Sequence, residues 1–167
     1  NKRSDEYGGS FTNMARILVE IFSTIKEINK GGIPLGVRLC MDEFKDEGYK
    51  LEYAVEIVKY LVSKNLIDYV NTDAGTGFII PIPPMSIPLG FAEYMAAAIK
   101  KEVNIPVIAY GRINDPLQAE QILQNESADL IGMARQLVCD PETPNKAKKG
   151  DFDDIRRCIG CLDGCLG

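Results

Sequence analysis

Three cysteines crowd into the last ten residues of the chain as Cys158-x-x-Cys161-x-x-x-Cys165. Thiolates at that spacing can converge on one soft metal centre, and Gly160 and Gly164 between them permit the tight turns that bring sulfurs together. An iron–sulfur cluster and zinc would use the same residue types, and a chance group of free thiols is the third alternative. Either metal needs a fourth ligand. The sequence contains no histidine and ends at Gly167, so the missing ligand is expected beyond that residue.

A second constellation is made of arginines beside small residues: Gly111-Arg112, then Gly132-Met133-Ala134-Arg135. Small residues let backbone N–H groups approach an oxyanion, and arginine binds phosphate through paired, charge-assisted hydrogen bonds. Either pair alone is explained as well by a surface salt bridge. Two pairs at equivalent places on successive structural units point to phosphate, because the last two strand-to-helix loops of a β/α barrel often build such a site.

Arg38 is the third candidate. In Leu35-Gly36-Val37-Arg38-Leu39-Cys40, strand alternation puts Gly36, Arg38 and Cys40 on one face and the apolar residues on the other. An arginine turned inward demands a partner. An internal carboxylate and an electron-rich ligand both satisfy that demand.

These residues need a frame. Phe11, Met14, Leu18, Ile21, Phe22, Ile25 and Ile28 recur at helical spacing, with Ser10 placed as cap and Gly31 and Gly32 ending the helix. A strand is expected from Pro34 to Met41, a second helix around Leu51 to Val62, and a strand near Leu66 to Thr72. A third helix is expected near Phe91 to Val103 and a strand over Ile105 to Tyr110. Asp115 and Pro116 then open a helix, a fourth strand runs from Ala128 to Met133, and Asp140 with Pro141 repeats the opening signal. Helices alternating with short apolar strands predict a parallel sheet covered by helices. Periodicity leaves a doubly wound domain and half a barrel both open. Gly75-Thr76-Gly77 leads into the apolar stretch Phe78 to Pro88, with Pro81, Pro83, Pro84 and Pro88, rather than into a dinucleotide-binding helix. That stretch is expected to be a shaped loop, either over a binding surface or simply covering the barrel end.

Bulk properties exclude several classes. At 167 residues and 46% hydrophobic content, the chain can bury one core but falls short of the ~250 residues of a whole barrel. The formal net charge of −5 and the absence of a basic patch argue against nucleic acid. No apolar run reaches the ~20 residues of a membrane span. An odd, clustered cysteine count suits a reducing cytoplasm better than disulfides. The polar start at Asn1, without an initiating Met, suggests an internal cut.

The order of Asn1-x-Arg3-x-Asp5-Glu6-Tyr7-Gly8-Gly9-Ser10, Val37-Arg38-Leu39, Pro106-Val107-Ile108, Gly111-Arg112-Ile113, Ala128-Asp129-Leu130, Gly132-Met133-Ala134-Arg135, Asp140-Pro141 and the cysteine run resembles the old yellow enzyme family over nearly the whole chain. The cysteines resemble its iron–sulfur branch, that of 2,4-dienoyl-CoA reductase and trimethylamine dehydrogenase. The resemblance implies the C-terminal half of a TIM-type FMN-binding barrel over residues 1–150, followed at 151–167 by the start of an iron–sulfur segment. By the same resemblance, Arg38 stands beside the flavin N1 and C2 carbonyl. Gly111, Arg112, Gly132, Met133, Ala134 and Arg135 surround the flavin phosphate, Ala134 standing where many relatives have glycine. Cys158, Cys161 and Cys165 are then three ligands of a [4Fe-4S] cluster that relays electrons from a C-terminal FAD and NAD(P)H portion.

The activity so implied is hydride transfer from NADH or NADPH through flavin to the activated C=C bond of a small enone or enoyl-type substrate. Amine oxidation of the trimethylamine-dehydrogenase kind and a non-catalytic half-barrel are the alternatives. Dienoyl-CoA reductases carry a Trp-His-Glu-Ala-Arg-like stretch after the sixth strand, where this chain reads Thr76-Gly77-Phe78-Ile79-Ile80. The assisting histidine is therefore absent, and a wider, more apolar pocket is expected. Half a barrel leaves sheet edges uncovered, so association with itself or with a missing half is expected.

Overall fold

The computed structural model describes residues 3–75 and 83–166. Four strands, β1 (Gly36–Cys40), β2 (Tyr69–Asp73), β3 (Val107–Ala109) and β4 (Leu130–Ile131), form one parallel sheet in the order β1-β2-β3-β4. Helices α1 (Phe11–Asn29), α2 (Leu51–Ser63), α3 (Glu93–Lys100) and α4 (Pro116–Gln124) alternate with them. Short helices α5 (Arg135–Cys139), α6 (Thr143–Lys149) and α7 (Asp163–Leu166) follow β4. A doubly wound sheet reverses its strand order at a switch point. Here spatial order equals chain order, the arrangement of consecutive units of a β/α barrel.

The two sheet faces differ accordingly. Val37, Val70, Thr72, Val107 and Ala109 are buried on the helical side, packed with Ala54, Val58 and Leu61 of α2 and Met95, Ala96 and Ile99 of α3. The register pairs Gly36 with Tyr69, Arg38 with Asn71 and Asn71 with Ile108, so those residues share the other face, which is half-buried or open. Phe11 of α1 meets the rings of Tyr53 and Tyr60 edge-on at 5.6 and 5.5 Å. Each such pair adds about 0.5–1.5 kcal/mol beyond burial and fixes α1 on α2.

Local signals act where expected. Ser10 Oγ accepts the Asn13 N–H at 3.2 Å, and Lys30 closes α1 in the left-handed region at φ 49°. Asp115 caps α4 by accepting the Leu117 N–H at 3.0 Å, ahead of Pro116. The Asp140-Pro141 signal is shifted: Asp140 Oδ1 accepts the Glu142 N–H at 3.1 Å in a turn, and α6 starts only at Thr143, with Pro144 in its first turn.

One device recurs that no periodicity reveals. Asp68 accepts the Leu35 N–H at 2.7 Å and holds Lys26 at 2.8 Å, and Asp129 accepts the Val107 N–H at 2.9 Å and holds Lys100 at 2.6 Å. In both units an aspartate just ahead of a strand ties that strand to the start of its neighbour and to a lysine of an α-helix. The ion pairs are partly exposed and worth less than ~1 kcal/mol; the backbone contacts set the register.

Candidate functional site

The loops after β3 and β4 leave the same end of the sheet. Gly111 takes φ 124° and Arg112 φ 54°, a turn made of two consecutive positive values. A Cβ on Gly111 would stand 2.8 Å from the Ala92 Cβ and 3.2 Å from Phe91, so only glycine fits. The turn sends the Arg112 side chain across the barrel end, where it donates to the carbonyl oxygens of Met85 at 2.9 Å and Ile159 at 3.2 Å, and to that of Ile87. Arg135 opens α5 and donates to the Pro83 carbonyl at 2.7 Å.

Both arginines thus face the same described part of the proline-rich loop. Together with Arg38, Gly111, Gly132 and Ala134 they line one cavity of about 240 Å³. Of the phosphate residues expected from sequence, Met133 stands apart: it is half-buried against the core and does not line the cavity. The α5 helix has five residues, so its dipole adds little and the guanidinium groups supply the positive charge.

Arg38 lies on the open face with its side chain 53% exposed, rather than in a closed core. The partner it finds is a carboxylate, Asp73: Nε donates to Oδ2 at 2.9 Å. The guanidinium also sits 5.1 Å from the centre of the Tyr110 ring. Burial, then the charge of Asp73, raises the Tyr110 pKa above the ordinary tyrosine range, so the phenol stays protonated; its hydroxyl lies 3.4 Å from the Ala74 carbonyl. Cys40, on the same face, is half-buried with Sγ 3.3 Å from the Asp42 carbonyl and 3.4 Å from that of Gly75, and burial raises its pKa. That thiol is a hydrogen-bonded structural group.

The cysteine segment is strapped over the same loops. Buried Gln136 accepts the Cys158 N–H at 2.9 Å and donates to the Arg156 carbonyl at 3.0 Å. Asn114 donates to the Cys158 carbonyl at 2.7 Å, and Asp140 accepts the Arg156 N–H at 3.0 Å. Cys158 and Cys165 line the cavity, whereas Cys161 is exposed and does not. Among the described residues no three cysteine, aspartate or glutamate side chains are grouped as a metal site requires. The Thr76 to Ile80 stretch, with Gly77 at the histidine position, lies outside the described residues.

Sequence reading missed Asp73, Gln136 and Asn114. Asp73 carried a usable signal, since it falls in the same alternation as Asn71 at the C-terminal end of β2. Gln136 and Asn114 carried none, because their partners lie 22 and 44 residues away.

Consecutive β/α units with a cationic cavity at the C-terminal ends of the strands define a partial barrel of the kind that binds phosphorylated cofactors. The chain belongs to the NADH:flavin oxidoreductase / NADH oxidase family, whose model matches residues 1–154. It is 40% identical to an NADH oxidase of Thermoanaerobacter brockii, over 100% of this chain and 26% of that protein. The structure of a 2-naphthoyl-CoA reductase complex superposes with TM-score 0.93 at 30% identity, covering 99% of this chain and 26% of that one. Histamine dehydrogenase from Rhizobium sp. 4-9 gives TM-score 0.87 at 32% identity, over 96% and 23% of the two chains. The old yellow enzyme resemblance is thereby borne out, as is the partial barrel. The chain spans about a quarter of the length of these relatives. No helix among the described residues is long and apolar enough to cross a membrane.

Proposed function

We propose that the full-length protein is an FMN-dependent oxidoreductase that passes hydride from NADH or NADPH to the activated C=C bond of a small organic substrate in the cytoplasm. The observation that carries this is the single cavity shared by Arg38, Arg112 and Arg135. Its donor set fits a flavin mononucleotide. Two guanidinium groups suit the phosphate, and each now donates to neutral backbone carbonyls, which a phosphate outcompetes by charge. Asn114 Oδ1, at the cavity, and Asn71 Oδ1, across the strand from Arg38, are buried acceptors without a donor among the described residues.

When bound, FMN supplies the hydride chemistry. The residues of this chain bind and orient it. Arg112 and Arg135, with the small residues Gly111 and Gly132 beside them in the cavity lining, hold the phosphate. Arg38 offers positive charge on the inner face of the barrel, which would stabilise the negative charge of a reduced flavin held there. Tyr110 supports Arg38 from below and keeps its own proton.

Cys158, Cys161 and Cys165 are proposed to be three ligands of a [4Fe-4S] cluster, supported by their spacing and by two of the three lining one cavity. Cys161 does not fit that set in its present position, being exposed and outside the cavity lining. The similarity to histamine dehydrogenase supports a second reading, oxidation of an amine. The exposed stripe Ile17, Ile21, Ile25 and Ile28 on α1 is proposed to be covered by the rest of the barrel, or by a second copy when the chain is alone.

Purified without oxygen, the full-length protein is expected to be yellow-brown, to lose that colour with reductant, to release FMN on denaturation and to oxidise NAD(P)H in the presence of an enone. A colourless protein containing zinc contradicts the proposal.

A further inference from the structure

Asp73 is fixed before it meets Arg38. Its Oδ1 accepts the Ala74 N–H at 2.9 Å, leaving Oδ2 to take the Arg38 Nε at 2.9 Å. The Tyr110 ring supports the same guanidinium from another side, 5.1 Å from its centroid. Neither terminal nitrogen of Arg38 has a hydrogen-bond partner among the described residues. The guanidinium is therefore held by its inner nitrogen and its face, with its outer donors available to a ligand.

The pair is too exposed to serve folding: Arg38 and Asp73 side chains are 53% and 35% exposed, and such pairs are worth less than ~1 kcal/mol. Its placement on the inner face, opposite the helices, gives it a different use. A carboxylate within hydrogen-bond distance of a cation partly cancels the field that the cation projects on anything else nearby.

We propose that Asp73 is a positioning residue that orients Arg38 toward the flavin and, by offsetting its charge, makes the bound flavin harder to reduce. The proposal rests on the flavin reading of the cavity. Asp73→Asn keeps the shape while removing the charge, and leaves one acceptor oxygen for the two donors, Ala74 N–H and Arg38 Nε, that the carboxylate serves.

The test is a spectroscopic redox titration of the full-length flavoprotein and of its Asp73→Asn, Asp73→Ser and Arg38→Gln variants, with thermal unfolding followed in parallel. Asp73→Asn is expected to shift the ratio of reduced to oxidised flavin about tenfold toward reduced at a fixed potential, about 30 mV for a two-electron couple. Asp73→Ser, which also lacks the charge, shifts the ratio in the same direction and supplies the measurement should the asparagine variant fold poorly. Arg38→Gln shifts it the opposite way. An unchanged or more negative potential in both Asp73 variants, beside a shift in Arg38→Gln, overturns the role of Asp73 and leaves the flavin reading standing. If none of the variants alters flavin potential or affinity, the flavin reading itself falls and the proposal falls with it.

Discussion

Gln136 Oε1 accepts the backbone N–H of Cys158 at 2.9 Å, so the residue following Arg135 in sequence holds the first cysteine of the run. Its amide nitrogen donates to the Arg156 carbonyl at 3.0 Å and to Thr143 Oγ1 at 2.9 Å, and the side chain is 2% exposed. The arginine loop and the cysteine segment are thus one hydrogen-bonded unit.

Replacing Gln136 by Leu leaves the Cys158 N–H and the Arg156 carbonyl without this partner. Both abandoned groups are only partly buried, so a loss of about 1–2 kcal/mol is expected, below the sum of two fully buried groups at about 1–3 kcal/mol each. Hydrogen exchange at the Cys158 amide should accelerate by about tenfold or more, an effect read by mass spectrometry alongside thermal unfolding. Unchanged protection at Cys158 contradicts the assigned contact.

Gly111→Ala combines a positive φ of 124° with a Cβ placed 2.8 Å from the Ala92 Cβ. Strain and overlap together predict a destabilisation of about 2–4 kcal/mol. The Arg112 side chain should lose its contacts to the 83–87 loop as well, visible as faster proteolysis of that loop. Wild-type stability in this variant argues against the turn geometry.

Acid should loosen the fold through two aspartates. Contacts with the Leu35 N–H and Lys26 lower the Asp68 pKa, and contacts with Lys146 and the Arg156 N–H lower that of Asp140. A carboxyl whose folded pKa is depressed contributes stability that is complete above its unfolded value, about 3.9, and lost as pH falls through the folded value. The melting temperature should therefore be flat above about pH 5 and drop below about pH 4, with a shallower drop in Asp68→Asn. A stability that rises on acidification contradicts this sign.

The apolar stripe of α1 should drive association when the chain stands alone. Light scattering of the 167-residue chain is expected to show oligomers, and Ile21→Lys with Ile28→Lys should reduce their mass. A stable monomer before substitution contradicts the proposed covering of that face.

Much of the scaffold was legible because it is written locally. The Ser10 and Asp115 caps, the spacing of apolar residues in α1 and α2, and the alternation around Arg38 all act within a few residues, and each produced the expected element. Strand ends were less legible: the run Ala128 to Met133 contains a β4 of only Leu130–Ile131, because pairing with the short β3 limits the ladder. Half of a barrel became distinguishable from a doubly wound sheet only through strand order, a non-local property.

At the site, residue type and spacing selected both arginines that line the cavity, Arg112 and Arg135, and the cysteine run. The partners that fix them had no local signature. Asp73 meets Arg38 across a strand pair, and the carbonyl oxygens of Met85 and Ile87 are backbone atoms whose positions no side-chain pattern encodes. Cys161, chosen by spacing, is exposed and does not line the cavity that Cys158 and Cys165 share.

If Arg112 and Arg135 hold the phosphate of a flavin, FMN and riboflavin will respond differently to their substitution in the full-length protein. Riboflavin lacks only the phosphate. Arg135→Gln is expected to weaken FMN by about 10- to 100-fold, the worth of one charge-assisted contact of about 1.5–3 kcal/mol, while riboflavin affinity stays as it was. Equal losses for both ligands, or no loss for either, would show that Arg135 does not hold the phosphate.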